Sequence, residues 1–167
     1  MPITMIAAMA RNRVIGADNA MPWRLPAESA HFRRSTVGRT VLMGRKTFQS
    51  LGKPLKDRRN VILTRSSQFA HEGCEVVHSL DEALSRYNTN PNEELVVMGG
   101  EEVYKLFLPF ADKLLLTEVE AVVEGDAYFP AFDENHWQLM DSEPYKQDDK
   151  NAYDFCIRTY IRKTPQS

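Results

Sequence analysis

An α/β fold is what this sequence predicts: one domain, a central, mostly parallel twisted β-sheet, an antiparallel C-terminal edge strand and about four flanking helices. Three observations carry the prediction. Short, almost continuously apolar runs recur along the chain, as strands covered on both faces require. Helical segments fall between the early runs, and strands alternating with helices build parallel sheets. The last run alternates between apolar and polar residues instead, which suits an antiparallel strand with one wetter face.

The strand-like runs, in order, are TMIAAMA (4–10), RTVLMG (39–44), NVILTR (60–65), CEVVHS (74–79), ELVVMG (94–99), KLLLTEVEA (113–121) and YDFCIRTYIRK (153–163). In the last, Phe155, Ile157, Thr159 and Ile161 share one side. A helix starts at Pro26, where proline suits the first helical position. A second follows Gly44. A third follows Ser79, where Glu82 stands three residues after a hydroxyl, a capping-box spacing. A fourth spans about 101–108 and stops before Pro109. NTNPNEE (88–94) reads as a loop, too short to link domains.

Composition narrows the function classes. The chain has 167 residues with 43% hydrophobic and 26% charged content, ordinary for a globular protein. One domain over 1–167 is expected, with an ordered core to about 163 and a tail over 164–167. A net charge of −2 gives no reason to expect nucleic acid or an acidic membrane as partner. Cys74 and Cys156 make no disulfide framework or metal cluster and suit a reducing, cytoplasmic compartment. The apolar N-terminus carries its charge after the apolar part, the wrong order for a secretory signal. His31, His71, His78 and His136 show no metal spacing.

Glu28 opens the chemistry. An acidic residue near a helix start is stabilised by the helix dipole, and that alone would account for it. A capping box would strengthen that account, but position 25 is leucine. Residues four apart share a helix face, so Glu28 points where Phe32 points, toward the interior. A carboxyl held there has a raised pKa and handles protons or anchors a cationic ligand. In LMGRKTF (42–48) a strand ends, Gly44 turns the chain, and Arg45 and Lys46 start a helix. Cations there oppose the dipole, so they are either merely solvated or held for an anion. VVMGGEEVY (96–104) repeats the strand–glycine–helix pattern, and Thr64 and Arg65 stand at a third strand end. Ligands of open α/β sheets gather at such ends. The stretch from Asn12 to Arg24 carries few helix or strand signals, which suits a lid.

The segments MIAAMARNRVIGADNAMPWRLPAE, VLMGRKTFQSLGKPL, RRNVILTR, VVMGGEEVY, LLLTEVEA and EGDAYFP together resemble the bacterial dihydrofolate reductases in order and spacing. The resemblance implies a cytoplasmic, monomeric enzyme that transfers hydride from NADPH to 7,8-dihydrofolate and is open to folate-like antifolates. It makes Glu28 the acidic residue of the pterin pocket, with Thr117 hydrogen-bonded to it, and Trp23, Met21 and Tyr104 beside the reacting atoms. Ile6, Ala8, Phe32, Leu51, Lys53, Leu55 and Met98 match the substrate pocket, and Arg58 matches the arginine that pairs with the glutamate tail. Toward the cofactor it implies Ala8, Ile15, Gly16, Asp18, Asn19, Ala20 and Met21 around the nicotinamide. Gly44, Arg45, Lys46 and Thr47 match the phosphate turn, and Leu63, Thr64, Arg65 and His78 the adenosine end. Met98, Gly99, Gly100, Glu101, Glu102, Val103 and Tyr104 follow, the two glycines joined by a cis peptide in the family. Asp126 matches a residue that steadies the lid. Ser29, His31 and Glu102 depart from what relatives carry.

Overall fold

The computed structural model describes residues 2–16, 25–87, 90 and 92–163. Strand β1 (Ile3–Ala10) is buried along its whole length and occupies the middle of the molecule. Strand β3 (Thr40–Gly44), β4 (Arg59–Leu63), β5 (Cys74–Val77), β6 (Leu95–Val97) and β7 (Lys113–Val119) all run parallel to it. Two antiparallel strands complete the sheet, β10 (Phe155–Arg162) against β7 and β9 (Trp137–Tyr145) against β10. The resulting order is β5-β4-β3-β6-β1-β7-β10-β9. A small ribbon pairs β2 (Val14–Gly16) with β8 (Ala127–Tyr128).

Every strand anticipated from an apolar run is present. Strand β9 was not anticipated, and it, not β10, forms the edge. Most of its side chains are exposed, so its sequence WQLMDSEPY carries no two-residue period. The alternation in β10 is real, but its second face is not wet: Tyr160 is buried there, against Phe132 (ring centroids 5.5 Å apart).

Among the described residues four α-helices flank the sheet: α1 (Pro26–Thr36), α2 (Arg45–Leu51), α3 (Leu80–Tyr87) and α4 (Glu101–Phe107). The capping expected at α3 forms with one partner shifted, from the Ser79 amide to that of His78. Ser79 Oγ accepts from the Glu82 amide (3.1 Å), and the Glu82 carboxylate accepts from the His78 amide (3.0 Å). Helix α1 solves its start differently. Leu25 cannot cap it, so the buried Asn151, from the loop between β9 and β10, accepts the Ala27 amide on its Oδ1 (3.1 Å). Asp148 orients Asn151 through both the backbone and side-chain N–H groups of Asn151 (2.7 and 3.0 Å). Leu25 and Ala27 then pack on Val119, Phe155 and Ile157, which lays the start of α1 across β7 and β10.

Replacing Asn151 by alanine should therefore lower stability by about 1 kcal/mol, the usual worth of a capping side chain. Replacement by aspartate should restore little, because it keeps the acceptor for the Ala27 amide but sets a carboxylate against Asp148. Thermal unfolding of the three proteins is the measurement.

Candidate active site

The parallel strands β4, β3, β6 and β1 present their C-terminal ends side by side, and the chain reverses its direction of travel across the sheet there. Such a switch point leaves a crevice for a ligand. Its floor is apolar. Ile6 is buried with Val41, Met43, Phe48, Ile62 and Val96, and Phe32, Leu55, Met98 and Leu115 pack onto them. Four of the residues expected in the substrate pocket, Ile6, Phe32, Leu55 and Met98, thus meet in one cluster. Ala8 is buried in register with Thr117 of β7, which is also buried. Leu51 and Lys53 are exposed.

Glu28 enters this crevice from the first turn of α1. Burial pushes its carboxyl up to about 7. Among the described residues no hydrogen bond or ion pair compensates for that burial, and none links Glu28 to Thr117. Tyr104 of α4 faces the same space. Its hydroxyl donates to the Ile6 carbonyl oxygen (2.6 Å), and burial first, then the Glu28 charge, pushes it well above the usual tyrosine range. Tyr104 therefore stays neutral and holds one of the backbone acceptors of the crevice. Gly99 lies against its ring, where a Cβ would come within 3.2 Å, at a backbone φ of +114°.

Arg58 stands at the far end of α1. Its Nε donates to the Lys56 carbonyl (2.9 Å) and one terminal nitrogen donates to Thr36 Oγ1 (2.9 Å). Thr36 is fully buried and returns its own hydroxyl to the Phe32 carbonyl (2.8 Å). Burial and the neighbouring Arg33 charge make the Arg58 cation less comfortable, which favours an anionic partner.

The opposite half of the crevice gathers cations. Gly44 donates its amide to the Gly99 carbonyl (2.9 Å), which ties the end of β3 to the Gly99–Gly100 peptide, and that peptide is cis. A side chain at Gly44 would press on Val103 at 3.1 Å, and one at Gly100 would meet Thr47 Oγ1 at 3.4 Å. Arg45, Lys46 and Arg65 are exposed and make no ion pair among the described residues. His78 Nδ1 donates to the Thr64 carbonyl (2.9 Å), so these two also meet, beside Leu63. Unpaired cations and close-lying glycines at adjacent strand ends suit an anionic, phosphate-bearing group. The Glu101 carboxylate accepts from the Tyr128 amide (2.8 Å), and that of Glu102 pairs with Lys105 (3.5 Å).

Ile15 and Gly16 lie in the ribbon β2–β8. Asp126 donates its amide to the Gly16 carbonyl (3.1 Å), inside the stretch from Asn12 to Arg24 expected to lack strand structure, where Val14–Gly16 instead forms β2. Asp18, Asn19, Ala20, Met21 and Trp23 lie outside the described residues. Sequence reasoning missed Gly125, whose added Cβ would come within 2.6 Å of the Gly16 carbonyl oxygen, as well as Asn151 and Thr36.

A family model described as dihydrofolate reductase matches residues 2–162. The chain belongs to the dihydrofolate reductase family. Among its relatives, the dihydrofolate reductase of Bacillus subtilis is 43% identical, over 96% of this chain and 95% of that one. The type 3 dihydrofolate reductase of Salmonella typhimurium is 45% identical over 92% and 93%. Among solved structures, that of dihydrofolate reductase from Enterococcus faecalis complexed with NADP(H) and RAB-propyl superimposes with a TM-score of 0.93 at 32% identity. The match covers 98% of this chain and 97% of the other. No helix among the described residues is long and apolar enough to cross a membrane.

A raised carboxyl pKa costs stability in a definite pH window. Folded Glu28 binds its proton more tightly than the unfolded residue, with about 7 against 4.5. The benefit of that proton is full below pH 4.5 and is lost as pH rises through 7. Glu28→Gln should therefore be more stable than the parent by about 1–3 kcal/mol above neutrality, with the difference closing toward acid. Denaturant unfolding at acid and alkaline pH reads it.

Proposed function

We infer that the chain reduces 7,8-dihydrofolate to tetrahydrofolate with NADPH, and that Glu28 manages the proton this reduction requires. The observation that carries the assignment of Glu28 is a carboxyl in the pterin-side crevice of a dihydrofolate reductase fold, close to half-protonated at neutral pH. NADPH supplies the hydride when bound. Saturating the C6–N5 double bond leaves N5 in need of a proton. Glu28 keeps one in a place that water reaches poorly, near the pH at which the enzyme works. Its ionised form also matches the amino-pterin edge, which presents N–H donors. The apolar floor of Ile6, Phe32, Leu55 and Met98 takes the ring faces, and the neutral Tyr104 keeps the Ile6 carbonyl in line.

The two ends of the crevice divide the remaining recognition. Arg45, Lys46, Thr47, Thr64, Arg65 and His78 hold the phosphates and the adenosine end, with the 2′-phosphate on Thr64 and Arg65. Arg58, its fork oriented by Thr36 and Lys56, receives the α-carboxylate of the glutamate tail. Asp126, hydrogen-bonded through its backbone to Gly16, steadies the segment that covers the nicotinamide. We place this enzyme in the cytoplasm as a single-domain monomer; the two free cysteines suit that compartment.

Loss of NADPH absorbance in the presence of dihydrofolate is the primary test, and no turnover would reject the reading. Two variants separate the roles. Arg58→Leu should raise the KM for dihydrofolate at least tenfold, because a charge-assisted pair contributes about 1.5–3 kcal/mol. A pterin without the glutamate tail should hardly notice the change. Arg65→Ala should weaken NADPH by a similar factor and leave NADH nearly unaffected.

A further inference from the structure

Asn60, the second residue of β4, is a polar side chain at a place where the sheet otherwise buries apolar ones. It is 2% exposed, stands in register with Val41 of β3, and lies two residues before Ile62 on the face that carries the crevice floor. An amide withdrawn from water is costly unless its hydrogen bonds are made elsewhere. Asn60 makes them with the turn that precedes β4. Its Oδ1 accepts from the Leu55 amide (2.9 Å), and its Nδ2 donates to the carbonyls of Leu55 and Arg58 (both 2.9 Å). Turned over, the amide would set its oxygen against two carbonyl oxygens, so the partners dictate this orientation. Leu55 to Arg58 thus form a loop whose two ends hang on one side chain. The loop would not hold this shape unaided. Asp57 within it has a φ of +63°, a conformation that residues other than glycine seldom adopt. The Asp57 carbonyl accepts from the Gly38 amide (2.9 Å), which docks the loop beyond the end of α1.

We propose that Asn60 is a positioning residue for tail recognition: by fixing the Leu55–Arg58 loop, it sets the distance between the Leu55 wall of the crevice and the Arg58 guanidinium. The proposal rests on Arg58 as the group that receives the glutamate tail. Leu55 packs on the apolar floor, so one end of the loop belongs to the ring pocket. Arg58, at the other end, also takes its direction from the loop, because its Nε donates to the Lys56 carbonyl (2.9 Å) inside it. Thr36 holds one terminal nitrogen of the fork. The fork therefore inherits the position that Asn60 gives the backbone. A ligand held both at the ring and at the tail senses this spacing, and a ligand held at the ring alone does not. Both N–H groups and the oxygen of Asn60 are engaged by the loop, so it acts through Arg58 and not on the tail itself.

Calorimetric binding of dihydrofolate, and of a dihydropterin without the glutamate tail, to the parent, Asn60→Ala, Arg58→Leu and the double variant tests this without turnover. Asn60→Ala should weaken dihydrofolate about tenfold, the factor of one charge-assisted hydrogen bond, and the tail-less pterin by no more than about threefold. In the Arg58→Leu background the same change should cost dihydrofolate no more than about twofold, because two residues acting through one contact are not additive. Equal losses for the two pterins, or losses that multiply in the double variant, would overturn the role of Asn60 while the tail assignment stands. A parent that binds both pterins equally would instead overturn the tail assignment of Arg58, and this inference with it. Where Asn60→Ala does not fold, the parent decides. By linkage, a tail held on Arg58 must stabilise the loop that positions it. The Leu55 amide, whose proton is held by Asn60 Oδ1, should then exchange with solvent about tenfold more slowly under saturating dihydrofolate than under the saturating tail-less pterin. Equal protection by the two would overturn the proposal.

Discussion

A carboxyl group withdrawn from water without a compensating charge is the constraint on which the architecture around the crevice depends. Burying Glu28 is unfavourable above neutral pH. Left to itself, the first turn of a helix beginning Leu-Pro-Ala-Glu would fray and let the side chain reach solvent. It is prevented by groups distant in sequence. Asn151 closes an amide of that turn, Asp148 holds Asn151, and the packing of Leu25 and Ala27 on Phe155 and Ile157 fixes the direction of the helix. The strand pair β9–β10 thus does more than extend the sheet. Its loop supplies the cap that keeps the carboxyl in place.

The same reasoning explains what sequence could and could not reveal. Short apolar runs marked six of the anticipated strands, and alternation marked β10, because each is covered on at least one face. Strand β9 escaped because its outer residues face solvent and leave no period. Glu28 was singled out through its spacing from Phe32; in the structure Phe32 packs on the buried cluster of the crevice, and burial pushes the Glu28 carboxyl up. Arg45, Lys46, Thr64 and Arg65 were legible as cations and hydroxyls at strand ends. Asn151 and Thr36 were not, because their work is done across separations of 124 and 22 residues, and no local pattern encodes such a pairing. Gly125 was hidden for a related reason. Only the fold shows that the Gly16 carbonyl lies where its Cβ would be.

The side chains of Glu101 and Glu102 have partners of their own. Both stand at the start of α4, where acids are stabilised by the helix dipole. An anionic ligand at that helix end would compete with them for the same favourable potential. The protein resolves the conflict by giving each carboxylate another partner, the Tyr128 amide for Glu101 and Lys105 for Glu102. The first of these also joins α4 to the small ribbon that borders Gly16. Glu101 thereby braces the ribbon that contains Gly16.

On the proposed assignment of Glu28 and Arg58, helix α1 ties the two ends of substrate recognition together. Glu28 lies in its first turn, and Thr36, which orients Arg58, is its last residue. Eight residues at 1.5 Å each separate them by about 12 Å along one rigid rod. A displacement of the helix by its cap would move the proton-handling group and the tail-binding fork together. Binding energy gained at the tail can therefore position the pterin relative to Glu28, since both contacts refer to the same element. Loosening either end of α1 would lower the rate of the chemical step and not merely the affinity, because the carboxyl and the ring it serves would lose their common frame.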